Sequence, residues 1–170
     1  MPKQKLSCNV SHASEFLSEP WTMLLLREFM IFGGTRRFEQ LHNALGISRN
    51  VLTKRLRRLL ELGLIKKSPI FESSRRMEYK MRRKAWELSP VMLALHLWAD
   101  RWSDDNHVTE IDFLDIFKNQ SLAKAAVMSK EGNTLDPSEI KVIAKTENAK
   151  QYLEKYKTKP ARPESKKEAA

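Results

Sequence analysis

Cysteine is nearly absent from this chain, since its 170 residues include only Cys8. One thiol excludes an internal disulfide and a zinc site built from cysteines. The four histidines are scattered without metal-ligand spacing. The sequence also lacks a glycine-rich phosphate loop, a nucleophile elbow and a paired-carboxylate motif. We therefore expect neither an enzyme nor a bound metal or cofactor.

Long apolar runs are also missing. Met23–Phe32 is apolar, but Arg27 and Glu28 interrupt it. No segment has the uninterrupted apolar run of a signal peptide or the length needed to cross a bilayer. We therefore expect a cytoplasmic chain without a membrane partner. The hydrophobic content of 41% suffices for a sizeable core, and the length predicts one domain with an appendage.

Two consecutive segments have the periodicity of amphipathic helices. Residues 38–45 and residues 48–60 each carry apolar side chains at helical spacing. Gly46 permits a sharp turn between them, and Ser48 can cap the second helix. Two amphipathic helices joined by a few residues, the second rich in arginine, predict a helix-turn-helix. Such a unit places one helix in a DNA groove.

Positive charge is concentrated on this unit and the segment that follows it. Residues 35–84 contain fifteen Lys and Arg against four acids, whereas the rest of the chain holds sixteen basic and seventeen acidic groups. The excess positive charge therefore lies where phosphates would need it. A solvated basic face without a partner is the plainer alternative, but confinement to a helix-turn-helix favours nucleic acid.

Two extended segments follow the helical pair. Leu64–Phe71 and Arg76–Arg82 flank a polar turn at residues 72–75, and apolar and charged residues alternate along Met77–Met81. Alternation of this kind is typical of a half-buried strand. A hairpin directly after a helix-turn-helix is the wing of a winged helix. We therefore predict a mainly α fold with a small β-hairpin wing, an α+β winged helix-turn-helix.

Further elements are predicted around this unit. The pattern indicates helices at Ser11–Phe16 and Trp21–Phe32, the second closed by Gly33 and Gly34, and a short strand at Thr35–Arg37.

The last long helix is predicted at Ala85–Trp102. Pro90 either starts this helix, with Ser89 as its cap, or kinks it. Its apolar stripe is broader than one side of a small domain can bury, and large exposed apolar patches mark interfaces. We therefore expect this helix to contact a partner.

Residues 8–104 resemble the HxlR-type, MarR-like winged helix-turn-helix regulators of bacteria and archaea. The resemblance rests on motifs that occur in order and at matching spacings: Cys8-Asn9-Val10, Pro20-Trp21-Thr22, Arg36-Arg37-Phe38, Gly46-Ile47-Ser48, Arg76-Met77-Glu78-Tyr79 and Ser89-Pro90-Val91-Met92. It implies a homodimer paired through the first and last helices, which presents both recognition helices to double-stranded DNA. The interface residues expected from the two helices are Val10, Phe16, Leu88, Met92, Leu95, Trp98 and Trp102.

The side of the recognition helix opposite its leucine stripe is expected to meet DNA. The first residues of such a helix reach base edges, where Asn pairs with adenine and Arg or Lys with guanine. We assign base or groove contact to Arg49, Asn50, Thr53 and Lys54, and we count the capping residue Ser48 among the DNA-binding residues. Phosphate contact is expected of Arg36, Arg37, Arg57 and Arg58, and phosphate or minor-groove contact of the wing residues Arg75 and Arg76.

Cys8 is the one candidate switch. A thiol near a helix N-terminus has a lowered pKa and reacts faster, and some members of the resembling family respond to oxidants or electrophiles at this position. An electrophile or another small molecule is therefore an expected effector. An inert packing residue is the alternative.

The organisation is expected to be a winged helix-turn-helix and dimerisation domain at 1–105, a small extension at 106–157 and a disordered tail at 158–170. In the extension we predict a strand and a turn at Glu131-Gly132-Asn133, a second extended run near Ile140–Ile143 and a helix at Glu147–Tyr156. Residues 126–137 resemble an extension of some family members whose flanking cysteines are absent here, so no metal is expected.

The function expected from the sequence is sequence-specific regulation of transcription by a homodimer on an inverted-repeat operator. The alternative is a winged helix that coats DNA without sequence preference or that contacts RNA or protein.

Overall fold

The computed structural model describes residues 8–103 and 109–155. The first range contains helices α1 (Asn9–Leu17), α2 (Thr22–Ile31), α3 (Phe38–Leu45), α4 (Arg49–Glu61), α5 (Arg83–Trp86) and α6 (Ser89–Trp102), with strands β1 (Thr35–Arg36), β2 (Ile65–Pro69) and β3 (Met77–Met81). The second range adds strands β4 (Leu114–Asp115), β5 (Gln120–Ser121), β6 (Val127–Met128) and β7 (Thr134–Leu135), a 3₁₀ turn at Pro137–Glu139, and helix α7 (Glu147–Lys155).

The chain divides into two compact units. One is His12–Ala125, and the other joins Met1–Ser11 to Ala126–Ala170. The predicted boundary at residues 105 and 106 and the predicted tail at 158–170 fall outside the described residues and stay predictions.

The larger unit has the predicted winged helix-turn-helix fold. Its sheet has the antiparallel order β1-β3-β2, in which Thr35 pairs with Lys80 and Ile65 pairs with Met81. Buried leucines from α2, α3 and α4 pack with this sheet around Phe29, which has no exposed surface. The core therefore fixes α4 against β2.

Gly34 lies where the backbone after α2 turns toward the sheet. Its φ is +81°, and its carbonyl accepts a hydrogen bond of 2.7 Å from the Met81 amide. A Cβ at this position would lie 2.6 Å from an indole carbon of Trp86. Glycine is therefore required here both by the backbone conformation and by the indole packed on it.

The predicted last helix is two helices in the structure. The break between α5 and α6 follows from Pro90, which occupies the first turn of α6 and so starts that helix. The prediction that Ser89 caps the helix is wrong. Leu88 takes the cap position, while the Ser89 hydroxyl donates to the Trp86 carbonyl at 2.6 Å.

The smaller unit contains a short hairpin and, further along the chain, helix α7. Its strand β6 pairs across the turn at Glu131-Gly132-Asn133 with β7, where Met128 lies opposite Thr134. Ile140–Ile143, predicted as a second extended run, takes no part in this ladder, and Ile140 itself has an extended backbone with φ −93° and ψ 120°. A short turn pairs the residues nearest to it, and Pro137 then ends the ladder. The predicted helix near the end is confirmed as α7.

Candidate nucleic-acid interface

Helix α4 presents one apolar side and one polar side. The Ser48 hydroxyl accepts a hydrogen bond of 3.3 Å from the Val51 amide, so this residue caps the helix as predicted. Leu52, Leu56 and Leu59 are buried in the core. The residues turned away from that core are all exposed: Asn50, Thr53, Lys54, Arg57 and Arg58. The structure thus brings five of the predicted DNA-binding residues onto one surface.

Helix α3 supports α4 across the turn between them. Gly46 ends α3 with a φ of +62°, and its amide donates to the His42 carbonyl at 3.0 Å. A left-handed residue at this position reverses the chain within a few residues. The turn thereby sets α4 against α3 and leaves the N-terminal end of α4 exposed.

Arg49, the first residue of α4, is paired with a residue of α3 that the sequence argument did not single out. Its guanidinium donates two hydrogen bonds of 2.7 Å to the two carboxylate oxygens of Glu39 and lies 5.6 Å from the centre of the Phe38 ring. The hydrogen bond from Arg49 lowers the pKa of Glu39, and the same bond raises the pKa of Arg49. Both side chains remain exposed.

Arg36 does not belong to the DNA-facing surface, so its predicted contact with phosphate is wrong. The residue is buried, with 9% of its surface exposed. Its guanidinium donates to the Glu28 carboxylate at 2.9 Å and lies 3.6 Å from the centre of the Phe32 ring. Glu28 is itself buried and is held by this cation and by the half-exposed Arg27, since a carboxylate without a partner in a core is costly.

Arg37 and Arg76 lie around one groove, although 38 residues separate them in the chain. The groove has a volume of about 450 Å³ and runs between the start of α3 and the start of β3. Gln40 and Asn43 contribute amide groups to the same lining. The structure therefore brings a predicted phosphate ligand and a predicted wing residue to one groove, which Phe38, Glu39 and Met77 also line.

The wing carries basic residues that the assignment of individual sites missed. Lys66 and Lys67 are exposed on β2, and Arg75 and Arg76 are exposed at the far end of the same hairpin. The Lys67 ammonium lies 5.9 Å from the centre of the Tyr79 ring. Their position in a predicted strand that leads into the basic turn was the sequence signal that could have identified these two lysines as site residues.

The predicted interface residues separate into two groups. Phe16 and Leu88 are half-buried and pack against the core of their own chain, and their place in an interface stays a prediction. On α6, by contrast, Leu95 is 50% exposed and Trp98 is 64% exposed. Val10 and Trp102 are also exposed, and Met92 is half-buried.

Cys8 precedes α1 in the smaller unit and is exposed. The Ser11 amide donates to its sulfur at 3.4 Å, while the Cys8 amide donates to the Ser11 hydroxyl at 3.0 Å. The hydrogen bond from the Ser11 backbone lowers the pKa of the Cys8 thiol, because it stabilises the thiolate. The thiol is therefore accessible and more acidic than an ordinary cysteine.

Neither a metal cluster nor a membrane span is found in the described residues. Within residues 8–103 and 109–155, no three His, Cys, Asp or Glu side chains form a group that could hold a metal ion. No helix in those two ranges is both long enough and apolar enough to span a membrane.

Known proteins match part of this chain. An uncharacterised HTH-type transcriptional regulator of Mycobacterium tuberculosis is 40% identical over 94 residues, which are 55% of this chain and 58% of the relative. The chain thus spans just under three fifths of that relative's length. The HTH-type transcriptional regulator YvaP of Bacillus subtilis is 30% identical over 105 residues, 61% of this chain and 95% of YvaP.

A solved structure agrees with the fold. The crystal structure of PA1607, a candidate transcription factor, matches with a TM-score of 0.71 and 26% identity, over 81% of this chain and 94% of PA1607. The model of the HxlR-like helix-turn-helix family matches residues 16–107, from α1 to just beyond α6. The capped helix pair, the basic wing and these matches agree with one another. The chain therefore belongs to the HxlR-like helix-turn-helix family.

Proposed function

We propose that this protein is a cytoplasmic transcriptional regulator that binds double-stranded DNA sequence-specifically, as a homodimer on an inverted-repeat operator. The observation that carries the proposal is the exposed polar side of α4, held outward by a buried leucine stripe and continuous in charge with the wing. The names of the relatives describe transcriptional regulators, which supports a binding function rather than an enzymatic one.

The exposed residues divide into two roles. Asn50, Thr53 and Lys54 lie in the first turns of α4, the part of a recognition helix that reaches base edges. The remaining cations position the protein on the backbone without reading sequence. These are Arg37, Arg57, Arg58, Arg75 and Arg76, and the Ser48 hydroxyl lies beside them at the helix cap.

The proposed dimer uses the exposed side of α6. Aromatic and aliphatic side chains such as Trp98 and Leu95 are costly to leave in water and are enriched in interface cores. A symmetric dimer presents two copies of α4 to one side of the duplex. Its half-site centres would then lie about one helical turn apart, roughly 34–36 Å.

Selection of binding sites from a pool of random duplex DNA tests this function. We expect an inverted repeat to be enriched. Lys54→Ala should relax the preference at one base pair of each half-site and cost on the order of 1–3 kcal/mol on the enriched duplex. Lys118→Ala removes another exposed lysine, from the turn between β4 and β5, and serves as the matched control. A pool that stays random would instead favour the non-specific architectural alternative.

We also propose that Cys8 makes DNA binding sensitive to thiol oxidation. The observation behind this is the exposed, hydrogen-bonded thiol at the start of α1, a helix of the proposed dimer contact. With diamide and glutathione, two thiols lose their hydrogens to the diamide and join as a mixed disulfide at Cys8. We expect the operator affinity of the wild type to change, and that of Cys8→Ser to stay constant. Equal insensitivity of both proteins would leave Cys8 as a packing residue.

A further inference from the structure

The carboxylate of Glu39 lies on the surface that is proposed to meet a polyanion. It is 60% exposed and belongs to α3, next to the first turn of α4. A carboxylate among phosphate-binding cations opposes their attraction for DNA. The ion pair itself contributes little to folding, because exposed pairs are worth a fraction of a kilocalorie in most proteins. The position of Glu39 therefore calls for a reason other than stability or DNA affinity.

The geometry of the ion pair between Glu39 and Arg49 supplies such a reason. Nη1 of Arg49 donates to one oxygen of Glu39 and Nη2 donates to the other, each at 2.7 Å, so the carboxylate meets the guanidinium end-on. A guanidinium has five N–H groups in a fixed planar fork. The end-on pair uses two of them. Among the residues that the structure describes, no acceptor other than Glu39 bonds the remaining three.

The side edge of the guanidinium is the part left available. Nε–H and the outer hydrogen of Nη2 point in the same direction, so together they form a second bidentate donor. Guanine presents O6 and N7 as a matching pair of acceptors in the major groove. Bidentate recognition depends on the orientation of the fork, and here Glu39 and the Phe38 ring, 5.6 Å away, both restrict it.

We propose that Glu39 is a specificity-determining residue, which holds Arg49 so that its side edge reads one guanine in each half-site. The inference rests on the proposed function and deepens it. Without Glu39, the long side chain of Arg49 turns toward the nearest phosphate, where it adds affinity for any sequence. Glu39 thus lowers the affinity of the protein for DNA of any sequence and raises its preference for guanine at one position of each half-site.

Two variants separate orientation from charge. Glu39→Gln keeps the size of the side chain but removes its charge and one of the two acceptors. Glu61→Gln is the matched control, because Glu61 is also exposed and pairs with an α4 arginine, Arg58, at 3.6 Å. Both variants remove one negative charge from the helix pair, at opposite ends of α4. Thermal unfolding of each variant verifies that it is folded.

The base discrimination of each variant is measured in two steps. Binding sites are first selected from random duplex DNA, and affinity is then measured on single-base variants of the enriched duplex. We expect Glu39→Gln to lose about tenfold in discrimination at a single G·C pair of each half-site, and Glu61→Gln to lose none. Both variants should bind a shuffled duplex more tightly than the wild type does. Arg49→Lys, which keeps the charge but not the fork, should lose the same preference at the same base pair.

The outcomes distinguish this inference from the proposed function. If the wild type enriches a sequence and Glu39→Gln keeps its full preference at every position, the role of Glu39 is overturned and the regulator remains. If Glu39→Gln and Glu61→Gln alter preference equally, charge alone is responsible and orientation is refuted. If the wild type enriches no sequence, the proposed function and this inference fail together.

Discussion

The adjacent arginines Arg36 and Arg37 should have different roles. Arg36 should stabilise the fold, whereas Arg37 should contact DNA. Arg36→Ala removes the cation that donates to the buried Glu28 at 2.9 Å and stacks on Phe32. Loss of one partner from a buried ion pair costs about 3–5 kcal/mol, because the other charge stays buried. Glu28 retains a second hydrogen bond of 2.9 Å from the half-exposed Arg27. We therefore expect the lower end of the range, about 3 kcal/mol of unfolding free energy.

Urea denaturation followed by tryptophan fluorescence measures this change, and the midpoint should fall by roughly 1–2 M. Arg37→Ala is the control, since it removes an exposed arginine one residue away. It should leave the midpoint nearly unchanged, but reduce the slope of DNA affinity against salt by about 1. If Arg36→Ala unfolds at the same urea concentration as Arg37→Ala, the assignment of Arg36 to the core is refuted.

Further expected outcomes concern a backbone turn and the proposed dimer. Gly34→Ala should lower the free energy of unfolding by about 2 kcal/mol, because it adds a clash with Trp86 to the strain of a positive φ. Gly33→Ala, with a φ of +66° and no atom within 4 Å of the added Cβ, should cost about 1 kcal/mol, and equal costs would contradict the packing argument. Trp98→Glu should sediment as a folded monomer at a concentration where the wild type is a dimer, and a monomeric wild type would exclude the α6 interface.

The helix-turn-helix and the wing could be predicted from the sequence because the signals for them are local. Ser48 lies directly before an apolar repeat, Gly46 lies between two such repeats, and the wing strand alternates over Met77–Met81. Each signal depends on residues within one or two turns, which is the distance over which capping, turn formation and periodicity act. The recognition helix and the strands of the wing follow from these positions.

Arg36 shows what a local pattern cannot predict. Two adjacent arginines at the start of a basic region look alike in sequence, but only one of them faces the core. The difference depends on Glu28, which α2 carries into the interior among buried apolar side chains. The carboxylate of Glu28 in an otherwise apolar helix was the sequence signal for a buried cation, since a buried charge requires a partner. Which arginine pairs with it is decided by tertiary packing.

The pair of Glu39 and Arg49 could not be predicted for a related reason. The two residues are ten positions apart on different helices, so their meeting depends on the angle that the Gly46 turn imposes. The extended run predicted near Ile140–Ile143 pairs with no strand among the described residues, because the turn at Glu131-Gly132-Asn133 pairs the residues nearest to it. Apolar composition alone does not provide a pairing partner.

The most direct test of the central claim compares affinity for the selected inverted repeat with affinity for a shuffled duplex of the same composition, over a series of salt concentrations. If α4 reads bases while the wing and Arg37 contact phosphates, both affinities fall as salt rises, and the selected duplex binds at least about 1,000-fold more tightly at physiological salt. Equal affinity for the two duplexes at every salt concentration would contradict the account.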